Sequence, residues 1–425
     1  MNALVLALAL AIAPDAGDTL RLAELQEAAV QRDPRARQLA LQEAGTRLRL
    51  RSLDAERLPQ LRLGAEATRQ SESLSLPLRL PGVPPPPEPS KERVRATLDV
   101  DQRVYDPTLG RRRSLEEARL AESRAVLGAE LFGLREEVNE AFFAALLLQE
   151  RGAQLDLLIQ DLEARLELAR ARVRGGVALP GDAAAVEAEL LRARQERDAV
   201  AADRRAARAV LGELTGRAPG EEDVLALPDL AEEVARARAA GELRARPEHA
   251  RFARARERLE REAGVTGAAT LPRVSAFGQA GYGHSPRNPF LDELEPFGVV
   301  GVRLQWTPWD WGETRRQQEQ LRLQQQVLDT QEAEFAARLE RRVQDDLQQI
   351  ARLEATLETD DRIVELRERI ARQTLRQVEE GVRVAAEYVD ARTDVFEARV
   401  GRFAHRVELA RARARYLTTL GLPVR

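Results

Sequence analysis

Cysteine is absent from the 425 residues, which excludes disulfides, thiolate metal sites, cysteine nucleophiles and an acylated N-terminal cysteine. Histidine is nearly absent too: His249, His284 and His405 are the only three, far apart and without ligand spacing. Histidine-based catalysis and a histidine-held metal therefore have no foothold. With no Gly-rich phosphate loop and no nucleophile–base constellation, an enzyme is not expected and no cofactor is called for. Lysine occurs once, at Lys91, and aromatic residues make up only 4% of the chain. Beyond the N-terminus the longest apolar run, Ala141 to Leu148, is far short of the ~20 residues of a membrane helix. Charge of one sign is lacking as well. The 66 basic and 70 acidic residues leave a net −4 and no basic stripe, which argues against a nucleic-acid partner.

What remains is a chain of Arg, Glu, Leu and Ala with 32% charged residues, a composition that favours long helices. The length fits one to three domains. Ala3 to Ala13 is an unbroken apolar run of 11, too short to span a bilayer but suited to the apolar region of an export signal. The expected signal is residues 1–16, cleaved after Ala16 or Ala13, with Pro14 disfavouring the latter; its start has no Lys or Arg.

Helical pattern from Thr19 to Leu58 gives way at Pro59 to alternation. Leu61, Leu63, Ala65 and Ala67 interleave with Arg62, Gly64, Glu66 and Thr68, which predicts a strand over about 60–70 with one apolar and one polar face. A proline-rich loop covers 71–90, and a second alternating strand, about 93–104, carries Val94, Ala96, Leu98 and Val100 on one face. Asp99, Asp101 and Arg103 lie on the other. Uninterrupted helix follows over about 107–173, or ~100 Å at 1.5 Å per residue. Gly175-Gly176 breaks it and a return helix spans about 180–214, followed by a mixed connector, 215–247, and a short helix from Glu248.

The plan then repeats. Strands are expected over about 271–283 and 297–308, with Phe277 the one apolar intruder on a polar face. A loop with Pro286, Pro289 and Pro296 separates them. Long helices follow over about 310–378 and 384–420, the first with Val343, Ile350, Leu357, Val364, Ala371 and Val378 at seven-residue intervals. An offset of 204 aligns Tyr105-Asp106 with Trp309-Asp310, and 205 aligns Gly176-Val177 with Gly381-Val382. The chain thus divides into a first repeat, 17–214, the connector, and a second repeat from 248 to 425.

Strands of ~10 residues with one apolar and one charged face suit a transmembrane β-barrel. Trp306, Trp309 and Trp311 sit together at one strand-to-helix junction, with Tyr105 at the matching place in the first repeat, where an aromatic girdle meets the membrane interface. Four strands cannot close a barrel, so several chains must share one: two give eight strands, three give twelve.

The order of these features resembles the TolC-like outer membrane efflux proteins. Leu25 through Ala28-Ala29 with Arg32-Asp33-Pro34 is similar to the family's opening helix. Leu58-Pro59 and Leu271-Pro272 resemble its strand starts, Leu304-Gln305-Trp306 through Asp310 and Gly312 the end of its fourth strand, and Arg246-Pro247-Glu248 the segment after its connector. Arg174-Gly175-Gly176-Val177 and Glu380-Gly381-Val382 resemble the turns at its tunnel tip.

The resemblance implies a mainly α fold in two repeats, each strand–loop–strand plus a coiled-coil hairpin. It also implies a homotrimer with a 12-stranded barrel in outer-membrane lipid and a helical tunnel in the periplasm. The function implied is a passive exit duct for tripartite efflux or type I secretion, docked by a periplasmic adaptor protein and driven by an inner-membrane transporter. It further implies an acidic constriction at Glu387 and Asp390, a gating ion pair Arg383–Asp182, and adaptor docking at Gly175, Gly176, Val177, Gly381 and Val382. Val378 stands where the family has the tyrosine of this lock, which implies a weaker latch. The competing reading is an exported, non-channel coiled-coil scaffold.

Overall fold

A computed structural model describes residues 18–72, 91–217, 219–240, 245–284 and 293–424. The expected signal segment, nearly all of the proline-rich loop 71–90, and Pro286 and Pro289 lie outside the described residues.

In chain order the elements are β1 (Thr19–Leu20), α1 (Leu22–Arg32), α2 (Pro34–Ala55), β2 (Gln60–Arg69), β3 (Glu92–Tyr105), α3 (Pro107–Arg174) and α4 (Pro180–Thr215). They continue with β4 (Val224–Leu225), α5 (Ala231–Ala240), α6 (Pro247–Ala268), β5 (Arg273–Gly283), β6 (Glu295–Gln305), α7 (Glu313–Glu379) and α8 (Ala385–Leu420). Proline opens α2, α3, α4 and α6, at the position where a missing N–H costs nothing. Left-handed glycines, Gly216 and Gly421, close α4 and α8.

Three local details depart from the sequence expectation. The opening helix is two helices, because Asp33 accepts the Arg35 backbone N–H at 2.7 Å and Pro34 starts α2 afresh. The connector holds β4, which pairs in parallel with β1 at Thr19↔Val224 and Leu20↔Leu225. In the second repeat the strand stops at Gln305 and the helix begins at Glu313, not 310. Pro308 cannot donate to a ladder, and Asp310 caps the helix by accepting the N–H of Thr314 at 2.9 Å.

The chain forms two compact units, which cut across the two sequence repeats. One comprises 39–124 and 251–331. It contains an antiparallel sheet in the order β2-β3-β5-β6. The registers Leu63↔Leu98, Leu98↔Ala280 and Ala276↔Val302 put apolar side chains beside apolar ones across all four strands. The opposite face carries Arg62, Glu66, Asp99, Asp101, Arg103, Arg273, Gln279 and Arg303. There Gln279 donates to Asp99 at 2.6 Å. Phe277 on this face is explained by its cross-strand partner: it pairs with Gly301, and a Cβ on Gly301 would come within 2.7 Å of the Phe277 ring. Phe297 lies opposite Gly281 in the same way.

The other unit comprises the residues before Leu39, 125–250 and 332–425. Its main core gathers Leu20, Leu22 and Leu25 with Phe142, Phe143, Leu211, Leu225, Leu230 and Leu417. A second cluster joins Leu158, Leu162 and Leu166 of α3 to Val186 and Leu190 of α4 and Val389 of α8. The seven-residue stripe is on the packed side, with Val343, Ile350, Val364 and Ala371 buried. Among the described residues no helix is long and apolar enough to cross a membrane.

Candidate functional site

Two features of the chain require an explanation beyond stability. The first is the sheet. Its apolar face is bare: Leu63 is 87% and Val300 88% exposed. A row of aliphatic side chains in water over four strands costs roughly 25 cal/mol per Å² of apolar area left uncovered. Among the described residues both edge strands, β2 and β6, also keep one row of backbone groups without a neighbouring strand.

At the junction after β6, Trp306, Trp309 and Trp311 are all exposed. Trp309 and Trp311 meet edge to face at 5.8 Å. Trp311 holds φ 54°, a left-handed conformation unfavourable for a bulky residue, and Gly312 follows at φ 77°. The Arg316 guanidinium fixes the turn by donating to the Trp311 carbonyl at 3.0 Å. Tyr105 differs from these three. It lies past a register shift between Arg103 and Tyr105 and borders a polar cavity with Arg103 and Arg273.

The second feature is the pair of helix tips. Gly176 (φ 72°) and Gly381 (φ 75°) end α3 and α7 with the same hydrogen bonds. The N–H of Val177 reaches the Arg172 carbonyl at 3.0 Å, and the N–H of Val382 reaches that of Gln377 at 2.8 Å. This six-to-one closure needs a left-handed residue, hence glycine. Gly175 precedes the first of these turns, and Val177 and Val382 are exposed. Arg172 ties the two turns together by donating to the carbonyls of Val378 at 3.0 Å and Glu379 at 3.2 Å.

A cavity of about 430 Å³ lies between the tips, lined by Leu168, Val186, Leu375, Val384 and Tyr388 with Arg165, Asp182 and Arg383 at its borders. The expected ion pair Arg383–Asp182 gives way to other partners. Arg383 pairs with Glu387 at 2.8 Å, four residues along its own chain segment. Asp182 sits in the first turn of α4 and accepts the Leu179 backbone N–H at 3.1 Å. Local partners win because the carboxylate satisfies an otherwise orphaned helix-start donor. Glu387 is thus half neutralised, whereas Asp390, exposed on the next turn of α8, has no ion-pair partner among the described residues.

The strongest tip contact was not among the residues singled out from sequence. Asp161 of α3 accepts from the Tyr388 hydroxyl at 3.1 Å and from Arg392 Nε at 2.8 Å, both on α8. Arg165 stacks on the Tyr388 ring at 5.2 Å and lies 3.8 Å from Glu379. Burial, and then the neighbouring Asp161 charge, raise the Tyr388 pKa above its usual value. The phenol therefore stays protonated and donates at any physiological pH. The one available signal was that Tyr388 is among only four tyrosines.

Residues 25–217 match the family described as outer membrane efflux protein. No curated relative matches by sequence. Among solved structures, CusC aligns with TM-score 0.69 at 14% identity, covering 97% of this chain and 96% of that one. The open-state MtrE outer membrane channel of Neisseria gonorrhoeae aligns at 0.66 and 19%, over 95% and 89%. The outer-membrane channel OprN aligns at 0.65 and 19%, over 94% and 89%. At these identities the likeness is one of fold.

Proposed function

We propose that the chain, whose residues 25–217 match the outer membrane efflux protein family, is an outer-membrane protein that serves as the exit duct of an efflux or type I secretion assembly. The observation that carries this reading is the sheet: a continuous exposed apolar face, a charged face behind it, and two open edges. Lipid covers the first, water the second, and only another copy can satisfy the third, since open edges are not tolerated in hydrocarbon.

Strand number supports closure between copies. Four antiparallel strands per chain place β6 of one copy antiparallel to β2 of the next, so a ring of copies closes without a parallel seam. Three copies give twelve strands and leave room for a passage, where eight would fill the lumen with side chains. The helices α3 and α7, of 68 and 67 residues, are each about 100 Å long. That length suits a periplasmic tunnel leading to an adaptor protein and an inner-membrane transporter. The duct moves solutes passively and does no covalent chemistry.

At the tips, Asp161, Tyr388, Arg392 and Arg172 hold the closed state, Glu387 and Asp390 supply the acidic constriction, and the glycine turns with Val177 and Val382 present the docking surface. The test is planar-bilayer conductance of the detergent-purified protein. Discrete, cation-selective channels support the duct. A monomeric protein that is soluble without detergent and never conducts, even with the tip loosened by Asp161→Ala, favours the scaffold reading instead.

A further inference from the structure

The polar face of the sheet ends, beside α3, in a cluster that neither the barrel nor the tip accounts for. Arg103, Ser275 and Arg303 form one row across β3, β5 and β6: Arg103↔Ser275 and Ser275↔Arg303 are direct partners. Arg273, two residues before Ser275, lies on the same face in the adjacent row. With Arg112 of α3 they line a cavity of about 330 Å³. The small Ser275 side chain between two long arginines leaves that space open.

Among the described residues the carboxylates do not saturate these guanidiniums. Glu56 is shared by Arg103 at 2.5 Å and Arg112 at 2.8 Å. Asp106 accepts the Thr108 N–H at 2.9 Å and hydroxyl at 2.6 Å at the start of α3, and lies 3.6 Å from Arg103. Arg273 approaches Asp106 only to 3.9 Å and Arg303 approaches Asp101 only to 3.7 Å. Both distances exceed those of a charge-assisted hydrogen bond. Arg303 is held in place without using its donors, by stacking on Phe277 at 4.8 Å. That ring is itself seated over Gly301. Arg303, oriented by that ring, and Arg273 therefore border a polar cavity, shared with Asp101 and Asp106, with donors left over, an arrangement suited to planar or tetrahedral oxyanions.

We propose that Arg273 and Arg303, with Arg103, Arg112 and Ser275, form an oxyanion-binding station on the polar face, taking the phosphate, sulfonate or carboxylate group of a solute in transit. The proposal rests on reading that face as the lumen. Its sign is opposite to that of the acidic residues proposed for the tip.

The probe is inorganic phosphate, titrated calorimetrically into the full-length protein in detergent and chloride-poor buffer, with conductance recorded on the same preparation. The wild type should bind phosphate, more weakly as ionic strength rises. Binding should fall at least about tenfold in Arg273→Gln/Arg303→Gln, which removes both forks. Ser275→Asp should abolish it by placing a carboxylate between Arg103 and Arg303, and it relieves cationic repulsion rather than unfolding the sheet, so it decides the matter if the double variant misfolds. Absence of binding in the wild type, or wild-type binding in a folded variant, overturns the station. Conducting channels without phosphate binding keep the duct and remove the station. Phosphate binding without conductance, even with the tip loosened by Asp161→Ala, keeps the oxyanion site and removes the duct.

Discussion

At the scale of single residues the tip depends on how few charges are free. Asp161 has two donors from α8, the Tyr388 hydroxyl and Arg392. Tyr388→Phe keeps the ring under Arg165 and removes one hydrogen bond, a loss of about 1 kcal/mol in a half-buried site. If that contact exists only in the closed tip, the closed-to-open ratio drops about fivefold, read as a higher open probability in single-channel records. Arg383 is spent on Glu387, so the two acidic residues are not equivalent. Asp390→Asn should weaken cation selectivity, measured by reversal potential under a salt gradient, more than Glu387→Gln does.

The same residues show where sequence reasoning stops. The Tyr388–Asp161 bond joins positions 227 residues apart. In a chain where most helical turns carry an Arg or a Glu, spacing alone gives every carboxylate several local partners of equal merit. The expected Arg383–Asp182 pair lost to two such local partners for that reason.

At the scale of elements, legibility was high wherever a period or a cap decided the matter. Alternation around Leu63 and Leu98 marked strands because one face is apolar and the other charged, and glycine marked the hairpin turns because only a left-handed residue closes them. The duplicated aspartates at the strand-to-helix junctions were visible as an offset of 204, and the structure shows their use as helix caps. Asp106 is nearly buried and takes two hydrogen bonds from Thr108. Asp106→Ala should therefore cost about 1–2 kcal/mol, seen as a lower midpoint for loss of helical circular dichroism. What could not be read was the two-residue pairing of β1 with β4, too short to leave a period, or the Phe277–Gly301 fit, which depends on register across strands.

Within the α7–α8 hairpin two carboxylates carry pH dependences of opposite sign. Glu368 is held below its ordinary pKa, first by hydrogen bonding from Arg399 and then by the charge of that guanidinium, against some desolvation. A carboxylate with a depressed folded-state pKa contributes stability above its unfolded value and loses it as pH falls through the folded value. Glu368→Gln should therefore lower thermal stability at neutral pH, and the difference from wild type should disappear in acid below the depressed value. Asp346 runs the other way. Burial raises its pKa despite Arg415 and Thr419, so its ionised form weighs against folding as pH rises above the ordinary aspartate range.

At the scale of the whole molecule the proposed duct requires that a sheet of four strands be completed by two further copies of itself. The natural chain has no cysteine, so engineered pairs report without background. Leu63→Cys on β2, combined in turn with Gly298→Cys, Val300→Cys or Val302→Cys on β6, brings one edge against the other only between copies. Mild oxidation in membranes should give, for at least one pairing, a covalent ladder of one, two and three chains that stops at three. A ladder that stops at two would make an eight-stranded barrel, and monomers alone for every pairing would contradict a shared barrel altogether.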